Sequence, residues 1–153
     1  MKQRQGPLEF RVVSVTRRNV ASLLNAWDDV FDNPVELTKA RACLSSPGYR
    51  LFAAIAAGKV IGQIRGFIQL QPDDDPWLYI DNLGVSEGWK RKGVASALLE
   101  RLVGWGRKRG ARLVWLGSEP DNEEATGFYQ SAGFSAEPML TWSKPLHRKG
   151  SVD

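Results

Sequence analysis

The sequence predicts a mixed α/β fold in the order β-α-α-β-β-β-α-β-α-β. Three observations carry this reading. Short runs of β-branched and aromatic residues are separated by turn signals. One long stretch carries an apolar stripe at helical spacing. That stretch lies between two strand-like runs, which makes a strand–helix–strand unit in the middle of the chain. The 153 residues suit one domain, read as spanning 1–153 with flexible tails at 1–8 and 147–153. With 42% hydrophobic and 25% charged residues, the chain is too apolar for disorder.

The elements follow in order. Residues 9–15 alternate around Phe10, Val12 or Val13, and Val15, and predict a first strand. Thr16 can cap a helix running to about Phe31. Asn33-Pro34 breaks the chain, and a second helix covers roughly Val35 to Leu44 before the turn Ser45-Ser46-Pro47-Gly48. Tyr49 to Ala56 and Lys59 to Leu70 read as two strands joined at Ala57-Gly58. Pro72 to Pro76 is an acidic loop, Trp77 to Val85 a strand, and Ser86 to Lys92 a polar turn. From Val94 to about Lys108, Val94, Leu98, Leu102 and Trp105 fall on one helical stripe. Arg107, Lys108 and Arg109 lie in its last turn, where cations suit the helix dipole, and Gly110 ends it. Arg112 to Leu116 is a short strand. Asn122 caps a further helix with Glu123 and Glu124 in its first turn, Gly133 closes it, and Met139 to Lys144 is a last strand.

Several chemistries are disfavoured. Cys43 is the only cysteine, so there is no intrachain disulfide and no thiolate metal cluster; it reads as a small buried helix residue. His147 is the only histidine and lies in the tail, remote from any triad-like pattern. Proton transfers would then fall to carboxylates, tyrosine or water, and no metal is expected. The formal net charge of +4 comes from scattered cations, apart from Lys90-Arg91-Lys92 and Arg107-Lys108-Arg109. No nucleic-acid motif accompanies them, so most read as a solvated surface. No apolar run approaches a membrane span, and no apolar stretch follows the basic N-terminus, so no signal segment is read there. A cytoplasmic protein is the expectation.

The informative segment is Leu83-Gly84-Val85-Ser86-Glu87-Gly88-Trp89-Lys90-Arg91-Lys92-Gly93-Val94-Ala95. A strand ends, a basic turn follows, and a glycine opens the long helix. The first N–H groups of a helix have no partner within it and favour an anion such as a pyrophosphate. Gly93 lets backbone approach a phosphate, and the three cations surround it. On physics alone, Gly93 serves either that purpose or merely a tight strand-to-helix turn. Neither the Gly-x-x-x-x-Gly-Lys-Ser/Thr loop nor Gly-x-Gly-x-x-Gly is present.

Lys90-Arg91-Lys92-Gly93-Val94-Ala95 resembles the Arg/Gln-x-x-Gly-x-Gly/Ala signature of the GNAT superfamily of N-acetyltransferases, with Lys in the first place. Tyr79 to Val85 resembles that family's fourth strand. Glu119 to Phe134 resembles its Asn-x-x-Ala-x-x-Leu/Phe-Tyr-x-x-x-Gly-Phe pattern. The resemblance runs from about Val12 to Leu146 and is motif-strength from Trp77 to Phe134. It implies a mainly antiparallel central sheet flanked by helices, and acetyl-CoA as acyl donor. Lys90 stands at the head of the loop, and backbone amides of Arg91, Lys92, Gly93, Val94 and Ala95 would hold the CoA pyrophosphate. Leu83 and Val85, on either side of Gly84, would pair with the pantetheine arm, and Asn122 would contact it. Tyr129 would protonate the departing thiolate, a task a phenol can perform. Without the family pattern Tyr129 reads as a core aromatic and Asn122 as an N-cap; Asn122 can do both.

The attacking amine needs a base. Asp81 is the first candidate, Glu119 the second, and ordered water the third. Acidic residues cluster at Asp28, Asp29 and Asp32 and again at Asp73, Asp74 and Asp75, two places expected to border an acceptor site and to draw a polycation; the three consecutive aspartates read equally as a solvated loop, and Trp27 and Trp77 either line the acceptor pocket or pack in the core or on the surface. Trp105 and Trp115 read as core. The outline of the chain is similar to the aminoglycoside 3-N-acetyltransferase branch, which would imply a small-molecule amine acceptor. Competing readings are an acetyltransferase for a peptide or protein amine or a polyamine, and a non-catalytic CoA-binding module. Retention of Tyr129 and Asn122 favours catalysis. A homodimer is suggested only by analogy with the fold.

Overall fold

Four strands run as an antiparallel meander and a fifth joins them in parallel. The computed structural model describes residues 9–147. β1 (Arg11–Ser14), β2 (Tyr49–Ala56), β3 (Lys59–Gln69) and β4 (Trp77–Val85) are neighbours in that order, and β5 (Leu113–Trp115) lies beside β4. Helix α1 (Leu37–Leu44) precedes β2, α2 (Val94–Lys108) crosses from β4 to β5, and α3 (Glu123–Ser131) follows. A parallel neighbour requires such a crossover, whereas β2 and β3 need only the two-residue turn Ala57-Gly58, both residues with positive φ (49° and 74°).

The described chain divides between Gly117 and Ser118 into two compact units. In the first, each sheet face has its own apolar cover. The α2 stripe foreseen from periodicity is buried: Val94, Leu98, Leu102 and Trp105 are all at most 9% exposed. It lies on β3 and β4, with Leu102 against Gly66 and Leu78 against Gly106. The other face is covered by Val20, Leu23 and Val30 over Leu51, Ala53 and Val60, flanked by Leu37, Ala40 and Leu44 of α1. The second unit contains α3, capped by Asn122, whose Oδ1 accepts the Ala125 N–H at 3.0 Å.

Three expectations are corrected. The helix expected from Thr16 to Phe31 is a 3₁₀ segment at Val20–Leu24. Asn19 competes with any cap at Thr16: its Oδ1 accepts the Thr16 N–H at 2.7 Å and its Nδ2 donates to Ser14 O. Asn25 O then accepts from Val60 N, and Trp27 N donates to Val60 O, so β3 draws the chain out of helix. Cys43 is exposed, because Leu37, Ala40 and Leu44 take the core-facing stripe of α1 and position 43 falls off it. Residues 139–144 form no strand: they have no ladder partner among the described residues, and Met139, Leu140 and Trp142 are exposed. The tails at 1–8 and 148–153 lie outside the described residues. Among the described residues no helix is long and apolar enough to cross a membrane.

Gly84 is required by close approach. A Cβ built there would lie 2.2 Å from the Val30 carbonyl oxygen. We therefore expect Gly84→Ala to cost about 1–3 kcal/mol, since the obstacle is backbone and cannot swing aside. Urea unfolding measures this; an unchanged midpoint would show that the loop carrying Val30 moves freely.

Candidate active site

The site within the first unit grows from an irregularity in β4. Arg65 pairs with Asn82 while its neighbour Gly66 pairs with Ile80, so Asp81 is an extra residue, a β-bulge. The bulge brings two successive side chains to one face. The Asp81 carboxylate receives Arg65 Nε at 2.9 Å, and Asn82 Oδ1 receives Gln63 Nε2 at 2.6 Å, Arg65 and Gln63 being two apart on β3. The pairing of β4 with β5 covers only Trp77, Tyr79 and the residue between them. From Ile80 onward β4 has no second ladder partner among the described residues.

The register fixes which groups that open edge presents. Ser86 N donates to Ile61 O at 2.8 Å, which makes Ser86 opposite Ile61 a hydrogen-bonded position. Antiparallel pairs alternate, so Gly84 opposite Gln63 bonds to β3, while the N–H and C=O groups of Leu83 and Val85 turn to the open side. They form a short acceptor–donor row of the kind an extended amide-bearing ligand matches.

Directly beyond, the chain makes a 3₁₀ turn at Glu87–Trp89 and enters α2 through two left-handed residues, Arg91 (φ 62°) and Gly93 (φ 82°). A left-handed Arg is strained, and such strain gathers at functional sites. Gly93, at the N-cap, provides no side-chain cap, and α2 has no acidic residue in its first turn. The first backbone bond of the helix is Ala97 N to Gly93 O, so the amides of Val94, Ala95 and Ser96 have no backbone acceptor among the described residues. Lys90 pairs with Glu87 at 3.1 Å, and Lys92 Nζ lies 5.3 Å from the Trp89 ring centroid. Uncapped amides, a dipole and adjoining cations suit phosphate.

A loop from Trp27 to Asp32 borders the same end of β4. Asp29 Oδ2 accepts the Glu87 N–H at 2.8 Å, and Asp32 Oδ2 accepts Asn82 Nδ2 at 3.2 Å. Gln63 Nε2 also reaches Val30 O at 3.3 Å; Gln63 is fully buried, with Oε1 unpartnered. Asp28 is exposed, and Trp27 is 47% exposed with Lys59 Nζ 3.8 Å from its ring centroid. Asp74 and Trp77 stand apart: eight residues of extended chain place Trp77 roughly 26 Å from Val85. Trp115 is half-buried, its ring 4.6 Å from Tyr79 and its Nε1 bonded to Gln69. Sequence reasoning missed Gln63, Arg65 and Asn82. A glutamine inside the apolar run Val60-Ile61-Gly62-Gln63-Ile64 was the available signal.

In the second unit, Tyr129 lies between Phe128 (5.0 Å) and Phe134 (5.3 Å). Burial pushes its phenol up to about 12. Asn122 has Oδ1 committed to the cap, which leaves Nδ2 as its donor for a ligand. Glu119 is exposed. Among the described residues no group of three His, Cys, Asp or Glu side chains is placed to hold a metal.

An open strand edge runs into an uncapped helix N-terminus, a geometry that suits an extended ligand ending in phosphate. The chain belongs to the acetyltransferase (GNAT) family, whose model matches residues 18–134 and so spans both units. It is similar to an uncharacterized N-acetyltransferase of Mycobacterium tuberculosis, 29% identical over 63% of this chain and 62% of that protein, so the match covers less than two thirds of the relative. It is also similar to the ribosomal protein bS18-alanine N-acetyltransferase of Escherichia coli, 37% identical over 35% of this chain and 36% of that protein. Among solved structures, it resembles the aminoglycoside N-acetyltransferase AAC(6')-Iy in complex with CoA, with a TM-score of 0.78 and 17% identity over 93% of this chain and 97% of that one. The aminoglycoside likeness is thus to a 6' enzyme, where the sequence reading expected the 3-N branch.

Since nothing lies within 4 Å of a Cβ built at Gly93, Gly93→Ala meets only backbone strain. We expect a loss of about 1–2 kcal/mol of stability, read from chemical denaturation. A variant as stable as wild type would mean that the loop relaxes away from its left-handed geometry.

Proposed function

We propose that this chain is an acetyl-CoA-dependent N-acetyltransferase for a primary amine on a small polycationic acceptor, an aminoglycoside being the leading candidate. The observation that carries the donor half is the open edge at Leu83 and Val85 running into the uncapped start of α2. In this reading the edge takes the pantetheine arm as a strand would, and the amides of Arg91 to Ala95 take the pyrophosphate. The acceptor half is supported by the likeness to an aminoglycoside N-acetyltransferase and by the carboxylates of Asp28 and Asp81.

The chemistry needs a neutral amine, a polarised thioester carbonyl and a protonated leaving group. Asp81, on the bulge beside the open edge and oriented by Arg65, takes the ammonium proton directly or through water; Glu119 is the reserve base. The amine nitrogen then attacks the acetyl carbonyl, the C–S bond breaks, the thiolate takes a proton from Tyr129, and the proton that the nitrogen sheds on becoming an amide returns to the phenolate through water. A phenol raised to about 12 stays protonated through neutral and mildly alkaline pH, so it is in its acid form whenever the amine is ready to attack. The family pattern assigns Asn122 to the pantetheine arm, with Nδ2 as its remaining donor.

A second reading, acetylation of a peptide α-amine, is favoured by the likeness to the bS18-alanine enzyme. Release of CoA thiol from acetyl-CoA separates the two. With gentamicin as acceptor, we expect brisk acceptor-dependent release; release at the no-acceptor rate, with turnover on a basic peptide, would move the assignment to the second. In either case Tyr129→Phe is expected to lower kcat by about 10²-fold with little change in KM, and Asp81→Asn to lower it by about 10–10²-fold. Wild-type rates in Tyr129→Phe would remove the phenol from the mechanism.

A further inference from the structure

Asp29, one of the acidic residues expected to attract a cationic acceptor, has its carboxylate turned to the protein's own backbone. The 3₁₀ turn Glu87–Trp89 begins after Ser86, a residue type suited to capping, yet Ser86 gives the turn no side-chain bond. The bond comes instead from Asp29, 58 residues earlier, whose Oδ2 accepts the Glu87 N–H at 2.8 Å. The Glu87 amide and, after it, the Ser86 hydroxyl hold this carboxylate below its ordinary range. Ser86 is 7% exposed and bonded through its own N–H to β3, so the platform under the turn is fixed.

The neighbours of Asp29 are fastened too. Val30 is 2% exposed, and its carbonyl lies against Gly84 and accepts from Gln63. Asp32 accepts from Asn82. Within four residues this loop is therefore tied to β4 at the bulge, at the open edge and at the exit toward α2.

We propose that Asp29 is a positioning residue for the acetyl-CoA site: it caps the turn that launches the phosphate loop and locks that loop to the segment at residues 27–32, and it is not a counter-charge for the acceptor. The inference rests on the acetyl-CoA reading of the loop. Its distinguishing feature is that the contact needs an acceptor oxygen and not a negative charge. An Asn at position 29 keeps the oxygen, and an Ala does not. Pro at position 87 removes the donor instead, and it suits the first position of such a turn after a residue at φ −57° and ψ 141°.

Calorimetric titration of the full chain with CoA, beside steady-state KM values, tests this. We expect Asp29→Ala and Glu87→Pro each to weaken CoA binding by about five- to tenfold, the size of one lost cap. The double variant is expected to bind no more weakly than either single one. Asp29→Asn is expected to bind CoA within about twofold of wild type and to leave the acceptor KM unchanged. Equal CoA affinity in wild type and in both single variants would overturn the inference. So would Asp29→Asn and Asp29→Ala raising the acceptor KM alike, which is the signature of a counter-charge. A wild-type chain that binds no CoA would overturn the transfer reading itself, an outcome separable from the rest.

Discussion

A strand edge left without a neighbour must find hydrogen-bond partners elsewhere, and in this fold that edge is placed where a ligand can supply them. β4 is a paired strand on both sides as far as Tyr79 and on one side only from Ile80. The bulge at Asp81 lies at the junction. It offsets the second half of the strand from the first, presents Asp81 and Asn82 on one face, and fixes Leu83 and Val85 with their backbone groups outward. The turn into α2 then begins at the end of the same strand. Edge, carboxylate and helix N-terminus thus form a continuous series on one stretch of chain, from Asp81 to Ser96.

That series is stable because other parts of the first unit hold it. The α2 stripe is buried against one sheet face, so the helix N-terminus cannot drift from the end of β4. On the opposite face, Gln63, Asn82, Asp29 and Asp32 form a polar bracket around the Val30 carbonyl. A buried amide such as Gln63 is costly unless bonded, and here its Nε2 serves two acceptors at once. Apolar packing sets where the site lies; this bracket sets its detailed shape.

The sequence made the central elements legible because their signals are local. The stripe of Val94, Leu98, Leu102 and Trp105, the hairpin at Ala57-Gly58 and the cap at Asn122 depend on neighbouring residues, and each formed as read. The turn into α2 is legible for the same reason, since Gly93 and the neighbouring cations lie together in the chain. The misread parts depend on distant partners. Thr16 to Phe31 lost its helix to bonds from Asn19 and Val60. Cys43 depended on which face of a short helix met the core. The bonds of Asp29 and Asp32 to Glu87 and Asn82 are likewise invisible in their charge, because those partners lie 58 and 50 residues away in the chain. The bulge is invisible in composition, because an extra residue in a strand alters register and not pattern.

Amide hydrogen exchange with and without CoA reads the proposed ligand contacts one backbone group at a time. CoA is expected to slow exchange at Leu83, Val85 and the uncapped amides of Val94, Ala95 and Ser96, while Gly84, already bonded to β3, changes little. CoA binding that leaves those amides exchanging at their free rates would contradict this expectation, and would place the ligand elsewhere on the molecule.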